Sequence, residues 1–155
     1  MADLPVVTPK HEKSEVRQQN CYISDVLVLG DIIIRNGLDV VIRNTRVFGS
    51  IQIVDSSNVG LFGNEVVNGD VLVIRPITAF IAENRLIKAG PMGMVIQEVG
   101  VNNIDPDTGE RLGEALIFDN TVQRGVIQCI DVGGLAFARS NIALAIIGCP
   151  GQLID

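Results

Sequence analysis

The sequence predicts an all-β protein, a solenoid wound from short strands, and three observations carry that prediction. The first is compositional: 20 Ile and 20 Val stand against 12 Leu and 9 Ala. β-Branched residues fit a pleated surface, whereas Ala and Leu lead the helix scale. The second is patterning. From Cys21 onward, apolar residues alternate in short bursts such as Val26-Leu27-Val28, Ile51-Gln52-Ile53 and Val71-Leu72-Val73, separated by Gly, Asn, Asp and Ser. Such bursts are too short for helices and suit strands of a few residues. The third is a repeat. Asn44, Asn64 and Asn84 are spaced by 20 and 20, and Asn120 and Asn141 by 21. Self-similarity at that period reads as one coil of a solenoid per repeat.

Length and composition bound the rest. At 155 residues the chain is one domain. Apolar residues make up 47% and charged residues 19%, which excludes intrinsic disorder. No apolar run approaches the ~18 residues of a membrane-spanning helix. A net charge of −6 opposes binding to nucleic-acid phosphates and to anionic membrane surfaces. The cysteines Cys21, Cys129 and Cys149 are odd in number and widely spaced, so they read as free, buried thiols in a reducing compartment.

Residues 1–20 form an arm that differs from the body, 21–155. Pro5 and Pro9 break regular structure, and Lys10, Lys13 and Arg17 balance Asp3, Glu12 and Glu15. His11, the one histidine, lies in this arm, so a Ser–His–Asp or Cys–His device in the body is excluded. The arm contains no apolar core of a secretion leader. It is expected to extend outward, with Val6 and Val7 as apolar anchors on a partner.

Within the body, residues four and two places before each repeated Asn form columns: Val40/Ile42, Gly60/Phe62, Phe80/Ala82, Leu116/Phe118 and Phe137/Arg139. Seven and nine places after stand Ile51/Ile53, Val71/Val73 and Ile127/Cys129, with Met92/Met94 one residue late. Phe62, Val71 and Val73 are expected inside. In a parallel coil equivalent positions stack ~4.8 Å apart. Asn44, Asn64, Asn84, Asn120 and Asn141 should then form a structural ladder, turning the chain and bonding amide to amide. Arg35, Asp55, Arg75, Glu98 and Asp131 form a second, charged column, alternating in sign from Arg35 to Glu98. A surface ion-pair ladder is preferred there to an active site, because alternation removes like-charge repulsion between stacked neighbours. Between repeats, residues 99–114 carry the dense turn chemistry of Asp105-Pro106-Asp107-Thr108-Gly109 and predict a lateral β-hairpin. Asp105, Asp107 and Glu110 are oxygen donors for calcium, but the glutamate of the full loop signature is missing. No metal site and no cofactor is therefore expected.

The stretches Val40-Val-Ile-Arg-Asn44, Asn58-Val-Gly-Leu-Phe-Gly-Asn64-Glu-Val-Val-Asn-Gly69 and Ser140-Asn141-Ile142 resemble the parallel β-helix repeats of the pectate lyase-like superfamily. The resemblance covers about residues 22–147. It implies a right-handed parallel β-helix of about 5–6 rungs, and polysaccharide lyases on that fold use carboxylate–arginine sites. Two function classes follow. The first is a non-enzymatic structural or binding module, a virion or assembly component such as a capsid decoration, cement or tail-associated protein. It would form a homo-oligomer, with a trimer favoured, and join a larger assembly through the arm, in a virion or in the cytoplasm of the producing cell. The second is a polysaccharide-active lyase or epimerase relative, or a carbohydrate-binding module, using Asp55, Arg75 and Asp131. The absence of Trp and the single Tyr22 weigh against the second, since sugar clefts rely on aromatic platforms.

Overall fold

In a computed structural model, which describes residues 6–7 and 19–149, the chain is a parallel β-solenoid of six coils with no helix among those residues. A coil visits three sheets in turn. The first coil is β2 (Gln19–Ser24) in sheet B, β3 (Leu27–Leu29) in sheet A and β4 (Ile32–Arg35) in sheet C. The second is β5 (Gly37–Arg43), β6 (Arg46–Phe48) and β7 (Ile51–Val54), and the third is β8 (Asn58–Phe62), β9 (Glu65–Val67) and β10 (Val71–Ile74). The fourth is β11 (Thr78–Ala82), β12 (Arg85–Ile87) and β13 (Met94–Gln97), and the fifth β14 (Glu114–Phe118), β15 (Thr121–Val122) and β16 (Val126–Ile130). The last is β17 (Ala136–Arg139) and β18 (Ala145–Ile147), with Ile142 bridging to Thr121 between them.

The core is a stack of matching side chains. Sheet A contributes Val28, Val47, Val66, Leu86 and Val122, one per coil, each 2% exposed or less. Val71 and Val73 point inward as expected, and the coil after them continues with Met94 and Ile96. Met92 stands outside the strand and is exposed. Period-2 alternation makes such stacking possible, because each strand then offers one continuous apolar face.

The chain turns its corners through left-handed backbone. Among the described residues, thirteen that are not glycine hold φ between 48° and 59°. They fall in three columns, such as Asn36, Asp55, Arg75, Glu98 and Asp131 after the strands of sheet C. A left-handed residue costs roughly 1–2 kcal/mol for anything but Gly. Its recurrence at equivalent corners keeps successive coils in register.

One expected phase is corrected by the pairing. Val40 pairs with Val59 and Ile42 with Leu61, so the second coil is 19 residues long and not 20. Val40 and Ile42 are inside, but the equivalents of Gly60 and Phe62 are Val41 and Arg43. Phe62 is therefore outside, 37% exposed, and Leu61 takes the buried place. A one-residue slip exchanges the two faces of a strand.

The arm contributes β1 (Val6–Val7), which pairs in parallel with Leu27 and Val28 on the open edge of sheet A. This backbone pairing leaves Val6 59% exposed. Gln19 and Asn20, counted with the arm, begin β2, and residues 1–5 and 8–18 lie outside the described residues. The insertion is a narrow antiparallel hairpin, closed by the Ile104–Arg111 bridge and by the Leu112 amide donating to the Asn103 carbonyl.

Candidate functional site

Outer face of sheet B. Alternation that puts Ile42, Leu61, Ile81 and Ile117 inside puts their neighbours outside, in three columns. The middle column runs Tyr22, Val41, Gly60, Phe80, Leu116, Phe137. Downstream of it along the strands run Ser24, Arg43, Phe62, Ala82, Phe118 and Arg139. Upstream run Asp39, Asn58, Thr78 and Glu114. The chain has five Phe and one Tyr, and five of these six rings lie on this one face. The sixth, Phe48, sits on sheet A under the Arg46 guanidinium, 5.1 Å from the ring centre. Gly60 makes room for its neighbour: a Cβ there would come 2.6 Å from the Phe62 ring. Tyr22, Phe62, Phe80 and Phe137 are 66%, 37%, 37% and 42% exposed. Contiguous exposed rings rimmed by charge mark an interaction surface. The columns before each Asn include Phe62, Phe80, Phe118 and Phe137 but not Tyr22, and an inward Phe62 is incompatible with this face.

The asparagine corner. Between sheets B and A, Asn64, Asn84, Asn120 and Asn141 do form a ladder. The Nδ2 of Asn64 donates to Asn84 Oδ1 at 3.0 Å, Asn84 to Asn120 at 3.0 Å, and Asn120 to Asn141 at 2.9 Å. Each Oδ1 also accepts the backbone N–H of the Asn one coil earlier. Two expectations are corrected. Asn44 is not in the ladder, because the short second coil brings Thr45 to that level, where its N–H donates to Asn64 Oδ1. Nor do the ladder residues turn the chain: the left-handed residues are those just before them, Gly63, Glu83, Asp119 and Ser140, with Asn44 itself in the second coil.

The charged corner. After the strands of sheet C, Arg75 holds Asp55 through two hydrogen bonds, Nε to Oδ1 and Nη2 to Oδ2 at 3.1 Å, and reaches Glu98 with Nη1 at 3.1 Å. The hydrogen bond from Arg75 is the main reason the Asp55 carboxyl lies below its ordinary 3.8, opposed by burial and helped by Asn102 and by the charges of Arg75 and Arg35. The alternating column is thus a trio. Arg35 ends β4 one residue short of the corner, where Asn36 stands. Asp131 takes its partner from the hairpin: Arg111 Nη1 donates to it at 3.0 Å while Nη2 donates to the Val99 and Asp131 carbonyls. Asn102, at the hairpin's base, donates to Asp55. These contacts clamp the insertion to the body.

Asp105 accepts the N–H of Asp107 and closes the hairpin turn, and among the described residues no three His, Cys, Asp or Glu side chains gather to hold a metal ion. The cysteines were expected as free thiols, but Cys129 and Cys149 are joined in a disulfide, Cα atoms 4.9 Å apart. They stand 20 residues apart, one coil, so the solenoid stacks them. In a chain-entropy account, closing such a loop stabilises by roughly 3 kcal/mol. Cys21, half-buried in β2, is not part of this bridge.

Compared with family models, with curated proteins and with solved structures, the chain matches none of them.

Proposed function

We propose that the chain is a non-enzymatic structural and binding module of a larger protein assembly. The observation that carries this reading is the outer face of sheet B, which gathers five of six aromatic rings on a flat, rigid surface. Interface cores are enriched in aromatic side chains and Arg. The charged corner supports the same reading. Arg75 spends its donors on Asp55 and Glu98, and Asp55, kept ionised well below neutral pH, is a poor general base there. A surface exposed to an oxidising medium suits the Cys129–Cys149 bridge better than a reducing cytoplasm. A virion surface is one such setting, and membership of the pectate lyase-like superfamily with a capsid or tail role is the specific form proposed.

A second reading, a carbohydrate-active or carbohydrate-binding relative, is favoured by the same rings, since Phe80 and Phe137 are exposed on a sheet face where a sugar chain could stack. The test is incubation of the full chain with pectate, alginate and related uronates, with and without calcium. No unsaturated product and no retardation on polysaccharide gels are expected. Calcium-dependent turnover that is lost in Arg75→Ala would overturn the structural reading. Alkylation of protein from its native source, followed by mass measurement, should find two of three cysteines protected.

A further inference from the structure

We propose that the outer face of sheet B packs on the same face of a second copy of this chain, about a two-fold axis parallel to the solenoid axis. This deepens the module reading by naming one partner, and rests on it in taking the face for an interface. Sedimentation of the isolated chain tests the face alone, and the activity assays test the module reading alone.

The argument is one of charge. On this face the two carboxylates, Asp39 and Glu114, stand in the upstream column. The two guanidinium groups, Arg43 and Arg139, stand in the downstream column. The apolar middle column lies between them. Asp39 is held in place by Asn58, whose Nδ2 donates to it at 2.7 Å, and Arg43 is steadied by Nε donating to Ser24. A two-fold axis parallel to the coils reverses strand direction and keeps each coil at its own level. Asp39 then meets the partner's Arg43, and Arg43 meets the partner's Asp39. Glu114 lies one coil, ~4.8 Å, from the level of the partner's Arg139, within reach of a long side chain. A two-fold axis running along the strands does the opposite. It lays the second coil on the partner's fifth and sets Asp39 against the partner's Glu114, a like-charge contact.

The apolar residues agree. In the parallel arrangement Tyr22, Phe80, Leu116 and Phe137 meet their own equivalents along the axis, while Phe62 and Phe118 face the opposite copy's upstream column at the levels of Asn58 and Glu114. Asp25, Glu83 and Asp119 stand at the corner beyond the face. A flat face matched to itself is isologous and requires a two-fold, so this contact cannot generate the trimer that the sequence suggested. Six strands at ~4.8 Å and about five residues at ~3.3 Å give a face of roughly 24 Å by 16 Å. Counted on both partners that is roughly 800 Å², below the ~1,200 Å² at which standard specific interfaces begin and in the range of weak, transient contacts, so dissociation in the upper micromolar range is expected.

The experiment is sedimentation velocity of the full chain over roughly 1–300 µM, a range set by that expected affinity. The wild type should pass from monomer to dimer. Phe80→Glu should leave it monomeric throughout, with Tyr22→Glu as an independent variant at the most exposed ring; circular dichroism verifies that both fold. Arg43→Glu and Asp39→Lys should each weaken the dimer by at least about tenfold, and the double variant should return to within about threefold of wild type, because each reversed charge again meets its opposite. A chain that stays monomeric at the highest concentration, a trimer, or a dimer indifferent to Phe80→Glu would overturn the proposal. So would an Asp39→Lys variant that dimerises more tightly, since that is the outcome of the axis along the strands.

Discussion

The two stacked corners of the solenoid do the same task with different chemistry. In one the stacked residue follows the left-handed residue of the turn, in the other it is that residue, and both align equivalent side chains at the spacing of the strands. At the corner between sheets B and A the stack is neutral and buried: Asn64, Asn84 and Asn120 are 3% exposed or less. An amide donates and accepts, so each copy satisfies the next and the run continues through four coils. At the corner after sheet C the stack is charged and about one-third exposed. Charge stacks only by alternating, so this run stops after Asp55, Arg75 and Glu98, and the next residue, Asp131, needs Arg111 from the hairpin. The neutral ladder therefore holds the coils together, while the charged one decorates a corner whose backbone is already set.

The largest effect expected is at the neutral corner. Asn84→Leu removes the acceptor of two Asn64 donors and the donor to the Leu61 carbonyl and Asn120 Oδ1. Several buried polar groups lose their partners at once, so the cost should be about 3–5 kcal/mol by denaturant unfolding. A loss under about 1 kcal/mol would mean that the ladder is incidental to stability.

How much of this was legible depends on whether a feature repeats. The solenoid and the ladder at Asn64, Asn84, Asn120 and Asn141 follow from spacing, because stacking turns sequence period into spatial neighbourhood. The second coil hides its phase. It is one residue shorter, and Thr45, which does not resemble Asn, takes the ladder position, so Asn44 drew the alignment one place off. That single slip sent Phe62 to the core and concealed the aromatic face. The disulfide carries the same spacing, 20 residues or about one coil, but one pair of cysteines makes no repeating column to mark it. The Arg111–Asp131 pair was not legible, because an insertion docks by a tertiary path that no period encodes. The phase is testable directly. Leu61→Ala should cost about 2–5 kcal/mol as a buried truncation, and Phe62→Ala under about 1 kcal/mol. The reverse ranking would restore the original phase.

At the charged corner the effect should be smaller. Arg75→Met breaks the bonds to Asp55 and Glu98 but leaves both carboxylates with access to water. A loss of at most about 1 kcal/mol is expected at low salt, shrinking further in 1 M sodium chloride. A loss as large as that of Asn84→Leu, unchanged by salt, would erase the distinction between the two corners.

The smallest effect separates the corners by pH. Asp55 is held below its ordinary 3.8 in the folded chain, chiefly by the hydrogen bond from Arg75. A depressed folded value contributes stability that is fully present above the unfolded value and lost as pH falls through the folded one. Between the two values the unfolded chain binds the proton and the folded chain does not, so acidification favours unfolding there. Asp55→Asn carries no such proton. It should change stability little at pH 7, by a fraction of about 1 kcal/mol, and should make the fall in stability below pH ~4 shallower than in the wild type. The deficit of Asn84→Leu, by contrast, involves no titrating group and should be the same at pH 7 and pH ~3, as long as the variant is folded at both. Urea midpoints of the three proteins across that range decide it. Equal acid slopes for the wild type and Asp55→Asn would show that the Arg75 pair is too well solvated to be linked to folding at all.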